Sequence, residues 1–230
     1  MERLLIMFKK AKFLIVGLAT LLMFPYNMMA QESDLGNWLI YIGSKKLNSK
    51  WNIHNEVQYR NYEVVGDLEQ LLLRTGLGYN ISDNNHNVLL GYGYILSGNY
   101  VPQTEDKVFV NEHRIFQQFI SKDRMGIVSL THRYRFEQRF IEGDYKMRLR
   151  YFLAAKLPLI KAEDSRSMLY LSAYNEMFLN TKSAFFDRNR VYVGVGYQLN
   201  KQTRIEAGYM NQLFESSSRD QLNVMTLITF

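Results

Sequence analysis

Four histidines, His54, His86, His113 and His132, are the first residues to test for chemistry, because a histidine can serve as a base at neutral pH. Barrel enzymes that cut lipids place a serine two residues after the histidine, so that nucleophile and base share one face of a strand. Here the residues at that spacing are Glu56, Val88, Ile115 and Tyr134, and none is a serine. A serine from a neighbouring strand would still satisfy the chemistry, so an outer-membrane lipid hydrolase stays open as one reading. His54 and Glu56 share a face with Arg60 beyond them. That grouping fits an acid–base pair, but a hydrogen-bonded network of polar side chains accounts for it more simply. His132 falls on the apolar side of its strand beside Tyr134, which suits an interfacial position. Glu142 and Asp144 sit together in an expected loop, where paired carboxylates could bind calcium or serve a protease, and where solvation explains them equally. No spacing matches a metal site, and we expect no catalytic residue, metal or cofactor from the sequence.

The stronger chemical pattern is a ladder of charge. His54, Glu56, Arg60, Arg74, Glu112, Arg114, Arg133, Arg135, Glu137, Arg139, Arg148, Arg150, Glu176, Arg190, Arg204 and Glu206 all fall on one face of alternating segments, with Lys146 and Arg188 in the same pattern. Arginine outnumbers glutamate, so pairing alone leaves some cations without partners. Three consequences are open: a lumen filled by Arg–Glu pairs, a hydrated anion-selective channel, or a cationic rim that meets lipopolysaccharide phosphates.

The segments that carry this ladder read as strands. Candidates lie at 38–44, 51–62, 68–81, 87–98, 108–120, 125–140, 144–158, 167–178, 188–199, 202–212 and 221–230, separated by short polar breaks. Most are longer than ordinary soluble strands and match the roughly 9–11 tilted residues that cross a bilayer. Opposite the charges lie Leu71, Leu73, Leu77 and Tyr79; Val88, Leu90, Tyr92 and Tyr94; Val128, Leu130, Tyr134 and Phe136; and Met147, Leu149, Tyr151 and Leu153. The same face continues through Val191, Val193, Val195 and Tyr197 to Leu222, Val224, Ile228 and Phe230, with no Lys, Arg, Asp or Glu in these sets. A lipid-facing Arg or Lys costs about 2–4 kcal/mol at the bilayer midplane, which would enforce such segregation. A soluble barrel would show the same alternation with the faces exchanged, but this apolar face is too large to fill a small interior. Tyr59, Tyr79, Phe119, Tyr145, Tyr197 and Tyr209 fall near strand ends, as aromatic girdles do.

We therefore expect an all-β fold, an antiparallel transmembrane β-barrel of about 10–12 strands, with twelve favoured because such barrels have even counts. The longer breaks near 99–107, 180–187 and 213–220 should lie at one end, and the short breaks at 82–86, 121–124 and 200–202 at the other. The Trp38 segment then starts on the wrong side, which leaves its role open.

Processing and composition agree with export. Lys9, Lys10 and Lys12 precede an apolar run from Phe13 to Phe24, then Pro25 and small residues ending at Ala30. That order is a secretory signal peptide, expected to be cleaved after residue 30, leaving 31–230 as a single barrel domain of the outer membrane. The run is too short for a helical span, which takes roughly 20 residues. The formal charge of +6 falls to +3 without the first thirty residues, too mild to imply nucleic acid. With no cysteine, disulfides, thiol catalysis and lipid attachment to cysteine are excluded. Gln221 to Phe230 alternates and ends on an aromatic, resembling the terminal strand that the barrel assembly machinery reads, so that machinery and outer-membrane lipids are the expected partners.

The stretches Glu112-His-Arg-Ile-Phe-Gln-Gln118, His132-Arg-Tyr-Arg-Phe-Glu-Gln-Arg-Phe140 and Arg148-Leu-Arg-Tyr-Phe152 make the chain similar to a family of Gram-negative outer-membrane barrel proteins carried as a domain of unknown function. The resemblance implies fold and location over nearly all of residues 31–230. It implies no catalytic residues.

Overall fold

The structure is a computed structural model and describes residues 35–82, 85–161, 167–182 and 184–230. The expected signal peptide at 1–30 lies outside these residues. Within the compact unit Asp34–Phe230, eleven strands close into a barrel. They are β1 (Gly36–Lys46), β2 (Trp51–Asn61), β3 (Leu68–Asn80), β4 (His86–Tyr100), β5 (Lys107–Met125) and β6 (Val128–Ile141), followed by β7 (Asp144–Lys161), β8 (Ser167–Asn180), β9 (Phe186–Gln198), β10 (Thr203–Leu213) and β11 (Ser218–Thr229). Each strand pairs antiparallel with the next in sequence, and β1 closes the barrel against β11 in parallel.

The all-β closed barrel is as the alternation predicted, but the count is eleven rather than the favoured twelve. The Trp38 segment is a full strand, paired on both sides. Parity then dictates the seam: in an up-and-down barrel of odd count, first and last strands run the same way, so they can meet only in parallel. Nine residue pairs form it, from Gly36↔Gln221 to Ser44↔Thr229. Backbone bonds from Phe230 N–H to Ser44 O (2.8 Å) and from Lys46 N–H to Phe230 O (3.3 Å) fasten its end.

Connections are shorter than the breaks in the sequence suggested. Strand pairing runs into the three longer breaks and reduces them to residues 101–106, 181–185 and 214–217, at the same end of the barrel as 62–67 and 142–143. The expected break at Ser121–Arg124 is instead the end of β5, still paired through Met125↔Val128, and the chain reverses over Gly126 and Ile127. Gly126 has φ +60°, which a residue with a Cβ adopts only at a cost. At the opposite end of β6, Glu142 and Gly143 both have positive φ, as the tight type I′ hairpin requires.

The faces divide sharply. Every strand presents at least one large exposed apolar side chain on its outer face; Leu90 and Val193 are 60% and 57% exposed. The inner face buries charge instead, including Glu56, Arg74, Glu112, Arg135, Glu137 and Glu176. Inside, a small apolar cluster of Trp38, Ile40, Tyr192, Met210 and Met225 lines the wall formed by β1 and β9–β11. Glycines let rings lie against that wall. A Cβ on Gly208 would meet the Val193 carbonyl oxygen and the Gly194 Cα, with the Tyr192 hydroxyl 2.6 Å away.

Candidate functional site

The interior is the place where chemistry concentrates, and its groups arrive by strand parity. Residues two apart on one strand share a face, while residues opposite each other on paired strands come within reach. Glu56 on β2 thus meets Arg74 on β3, its register partner, at 2.6 Å. His54 Nε2 lies 3.4 Å from Glu56, so the histidine ends one branch of this network. The Gln58 amide donates to Glu56, while its oxygen accepts from Arg60 Nε at 3.0 Å.

Two carboxylates organise the centre. Glu137 on β6, 0% exposed, lies 2.6 Å from Arg150, 2.7 Å from Arg148, 3.6 Å from Arg135 and 3.9 Å from Arg114. Glu176 on β8 receives Arg150 at 2.5 Å and Arg133 at 2.7 Å, with Arg190 at 3.7 Å. Glu112 on β5 binds Arg114 and Arg139, both at 2.5 Å. Asp187 on β9 takes Arg148 at 3.0 Å and Arg188 at 3.3 Å. Glu206 on β10 accepts from Lys156 at 3.3 Å and from the Tyr170 hydroxyl at 3.1 Å. Arg204 is half-buried on the same face, in register with Gln198 and Leu227. Several of these pairs reach past neighbouring strands: Arg133 on β6 reaches across one strand to β8, and Lys156 on β7 reaches across two to β10.

One carboxylate serving three or four guanidiniums leaves positive charge over, and aromatic rings take part of it. Phe178 is 1% exposed, with Arg150 and Arg190 each 4.5 Å from its ring and Arg148 at 5.2 Å. Arg133 lies over Phe152 at 4.3 Å and Arg135 over Phe116 at 4.5 Å. Arg60 and Arg190 approach the Trp38 ring at 3.6 and 4.7 Å. These contacts are electrostatically favourable, and more so away from water. The sequence reading assigned aromatics to the outer face and passed over these rings, although Phe116, Phe152 and Phe178 share parity with Arg114, Arg150 and Glu176.

A cavity of about 150 Å³ lies inside the barrel, touched by side chains from β1–β3 and β6–β11. Its charged lining comprises Arg60, Arg74, Arg133, Arg150, Lys156 and Arg190 against Glu56, Glu176 and Glu206. A larger depression of about 390 Å³ is lined mainly by outward side chains of β5–β8, among them Tyr134, Phe136, Leu149 and Leu179.

The remaining candidates have local partners. His113 Nδ1 meets the Tyr92 hydroxyl at 2.5 Å, and His132 Nδ1 meets that of Tyr151 at 2.9 Å, both on the outer face. Glu142 accepts the Asn111 backbone N–H at 2.8 Å, and Asp144 pairs with Lys146 at 3.1 Å, so the two carboxylates are engaged separately. Among the described residues, no serine hydroxyl is hydrogen-bonded to a histidine ring, no group of three His, Asp or Glu is arranged to hold a metal, and no helix is long and apolar enough to cross a membrane.

The chain is 29% identical over 164 residues to "Uncharacterized protein MexAM1_META1p0181" of Methylorubrum extorquens, covering 68% of this chain and 69% of that protein. No solved structure matches the chain. The family described as "Protein of unknown function (DUF2490)" matches residues 35–223, nearly the whole barrel, and the chain belongs to that family.

Proposed function

We propose that this protein is an integral outer-membrane barrel whose own ion pairs seal the lumen, acting as a structural or ligand-binding barrel rather than as an enzyme. The inversion of its faces carries the reading. Large apolar side chains stand exposed on all eleven strands while arginines and glutamates are buried inside. In water that outer surface would far exceed the few hundred Å² of contiguous apolar patch that soluble monomers show. In a bilayer it is the required surface, because a closed barrel leaves no backbone group unpaired in hydrocarbon. The N-terminal charge and apolar run of residues 9–24 supports export, and the terminal aromatic Phe230 supports assembly through the C-terminal strand.

An anion-selective channel is the second reading, favoured by the excess of cations at the inner cavity. Single-channel recording on the refolded protein, residues 31–230, separates the two. A sealed barrel inserts and stays silent across a salt gradient. Steady anion-selective steps, altered by Arg135→Ala or Arg150→Ala, would establish the channel and overturn the sealed reading. Fractionation of cells must also find the protein with outer-membrane markers.

A further inference from the structure

The inner cavity holds twice as many cationic as anionic side chains, six against three. Four of the six, Arg60, Arg74, Arg150 and Arg190, are buried. Arg60 is 5% exposed, and its guanidinium donates to neutral oxygens, Gln58 at 3.0 Å and Gln70 at 2.8 Å. Among the described residues no carboxylate lies within 4.0 Å of it. Glu176, the nearest carboxylate to Arg190 at 3.7 Å, is already shared with Arg133 and Arg150. Two residues of its lining each carry a buried donor without an acceptor, Trp38 Nε1 and Arg133 Nε. Charge removed from water without compensation is destabilising. A low-dielectric enclosure that collects cations and free N–H donors therefore selects for a counter-charge with several acceptor oxygens.

We propose that this cavity is a binding site for a small multivalent oxyanion of the phosphate or sulfate class. Arg60, Arg133 and Arg190 supply the charge and the Trp38 indole N–H supplies a directional bond. The volume admits such an ion with water, being well above the ~10–15 Å³ that one water needs, and it excludes a nucleotide or an acylated headgroup. The surrounding Glu56 and Glu176 hold the Arg74 and Arg150 guanidiniums in place, and Glu206 holds the Lys156 ammonium. Chloride, with one charge and no fixed geometry, satisfies fewer of these donors. The proposal rests on the cavity itself and goes beyond the sealed-barrel reading; a silent barrel and a conducting one could each hold the ion.

The chain contains two tryptophans, Trp38 and Trp51, so Trp51→Phe leaves one fluorophore, in the cavity wall. That variant, refolded in chloride buffer free of phosphate and sulfate, is titrated with inorganic phosphate and then sulfate at constant ionic strength. The expected result is a saturable change in Trp38 emission together with a rise in unfolding temperature, neither given by added chloride. Arg60→Gln should weaken the apparent affinity on the order of tenfold or more. Arg204→Gln, on the same face but outside the cavity lining, should leave it unchanged. Because Arg60→Gln could impair folding, Arg133→Gln is the second probe, and the phosphate-against-chloride comparison needs no substitution inside the cavity. A response that is unsaturable, or identical for chloride, overturns the site. A saturable response that survives both Arg60→Gln and Arg133→Gln overturns its assignment to this cavity.

Discussion

Replacing Glu137 by glutamine tests the ion-paired interior at its most connected point. The substitution keeps shape and removes one charge from a residue that is 0% exposed and has four guanidiniums within 4.0 Å. Three of those arginines keep another carboxylate: Arg150 has Glu176, Arg148 has Asp187, and Arg114 has Glu112. Arg135 does not. Its other contacts are the Gln118 oxygen, at 2.6 and 2.9 Å, and the Phe116 ring at 4.5 Å. The loss therefore reduces to about one uncompensated buried guanidinium, and removing one member of a buried pair costs about 3–5 kcal/mol. Urea unfolding of the protein in lipid vesicles at neutral pH, followed by tryptophan fluorescence, reads that change. Adding Arg135→Met removes the stranded charge, so the double variant should recover at least about 1 kcal/mol relative to the sum of the single changes. A Glu137→Gln protein within about 1 kcal/mol of the parent, or a double variant that is merely additive, would refute the reasoning.

Three further outcomes are expected. Val193→Arg places a cation on the outer face near the middle of β9 and should cost about 2–4 kcal/mol in vesicles, whereas an exposed position on a water-soluble barrel would lose almost nothing. Gly208→Ala drives a methyl into the Val193 carbonyl and the Gly194 Cα, so β9 and β10 must shift apart; a loss of about 1–3 kcal/mol in the same unfolding assay is expected. Asp67, in the 62–67 turn, supplies a pH dependence. Burial raises its carboxyl pKa, but bonds from Lys107 and the Tyr100 hydroxyl, with the charges of Lys107 and Arg219, outweigh that and hold it below the usual range. A lowered folded pKa means its stabilising effect is full above the ordinary carboxylate range, declines as pH falls through it, and is gone below the folded value. Amide exchange at Tyr62, whose N–H bonds to the Asp67 carbonyl oxygen at 2.9 Å, should accelerate over that acid window in the parent and show no such step in Asp67→Asn.

Much of this architecture is legible in the sequence because the two faces of a closed barrel impose opposite demands on alternate residues. Val193 and Val195 stand exposed on one face of β9 while Arg190 is buried on the other, as their two-residue spacing requires. The odd count was less legible. Trp38–Ser44 alternates no less clearly than other strands, but a rule of even parity argued against admitting it, and nothing local in a strand states whether its far neighbour runs parallel. Strand ends blurred for a related reason: Ser121–Arg124 is polar, yet it still pairs, because β5 continues past its apolar stretch to the turn at Gly126. Inside the barrel, the charges were found from parity while the rings among them were not. Phe116 and Phe178 look apolar, and only their two-residue spacing from Arg114 and Glu176 assigns them inward. The division of Glu137 among four arginines is beyond any single strand's pattern, since it depends on side-chain reach across β5, β6 and β7.

The inversion of the two faces is tested most directly by which side chains touch lipid. Trp51→Phe leaves Trp38 alone, 2% exposed on the inner wall, and adding Val193→Trp places a second indole on the outer wall. Both proteins are refolded into vesicles of brominated phospholipid, whose bromines quench only indoles that meet the acyl chains. The account predicts no quenching of Trp38 and strong quenching of the added indole at 193. Quenching of Trp38, or an indole at 193 that remains bright and is reached instead by a water-soluble quencher, would contradict it.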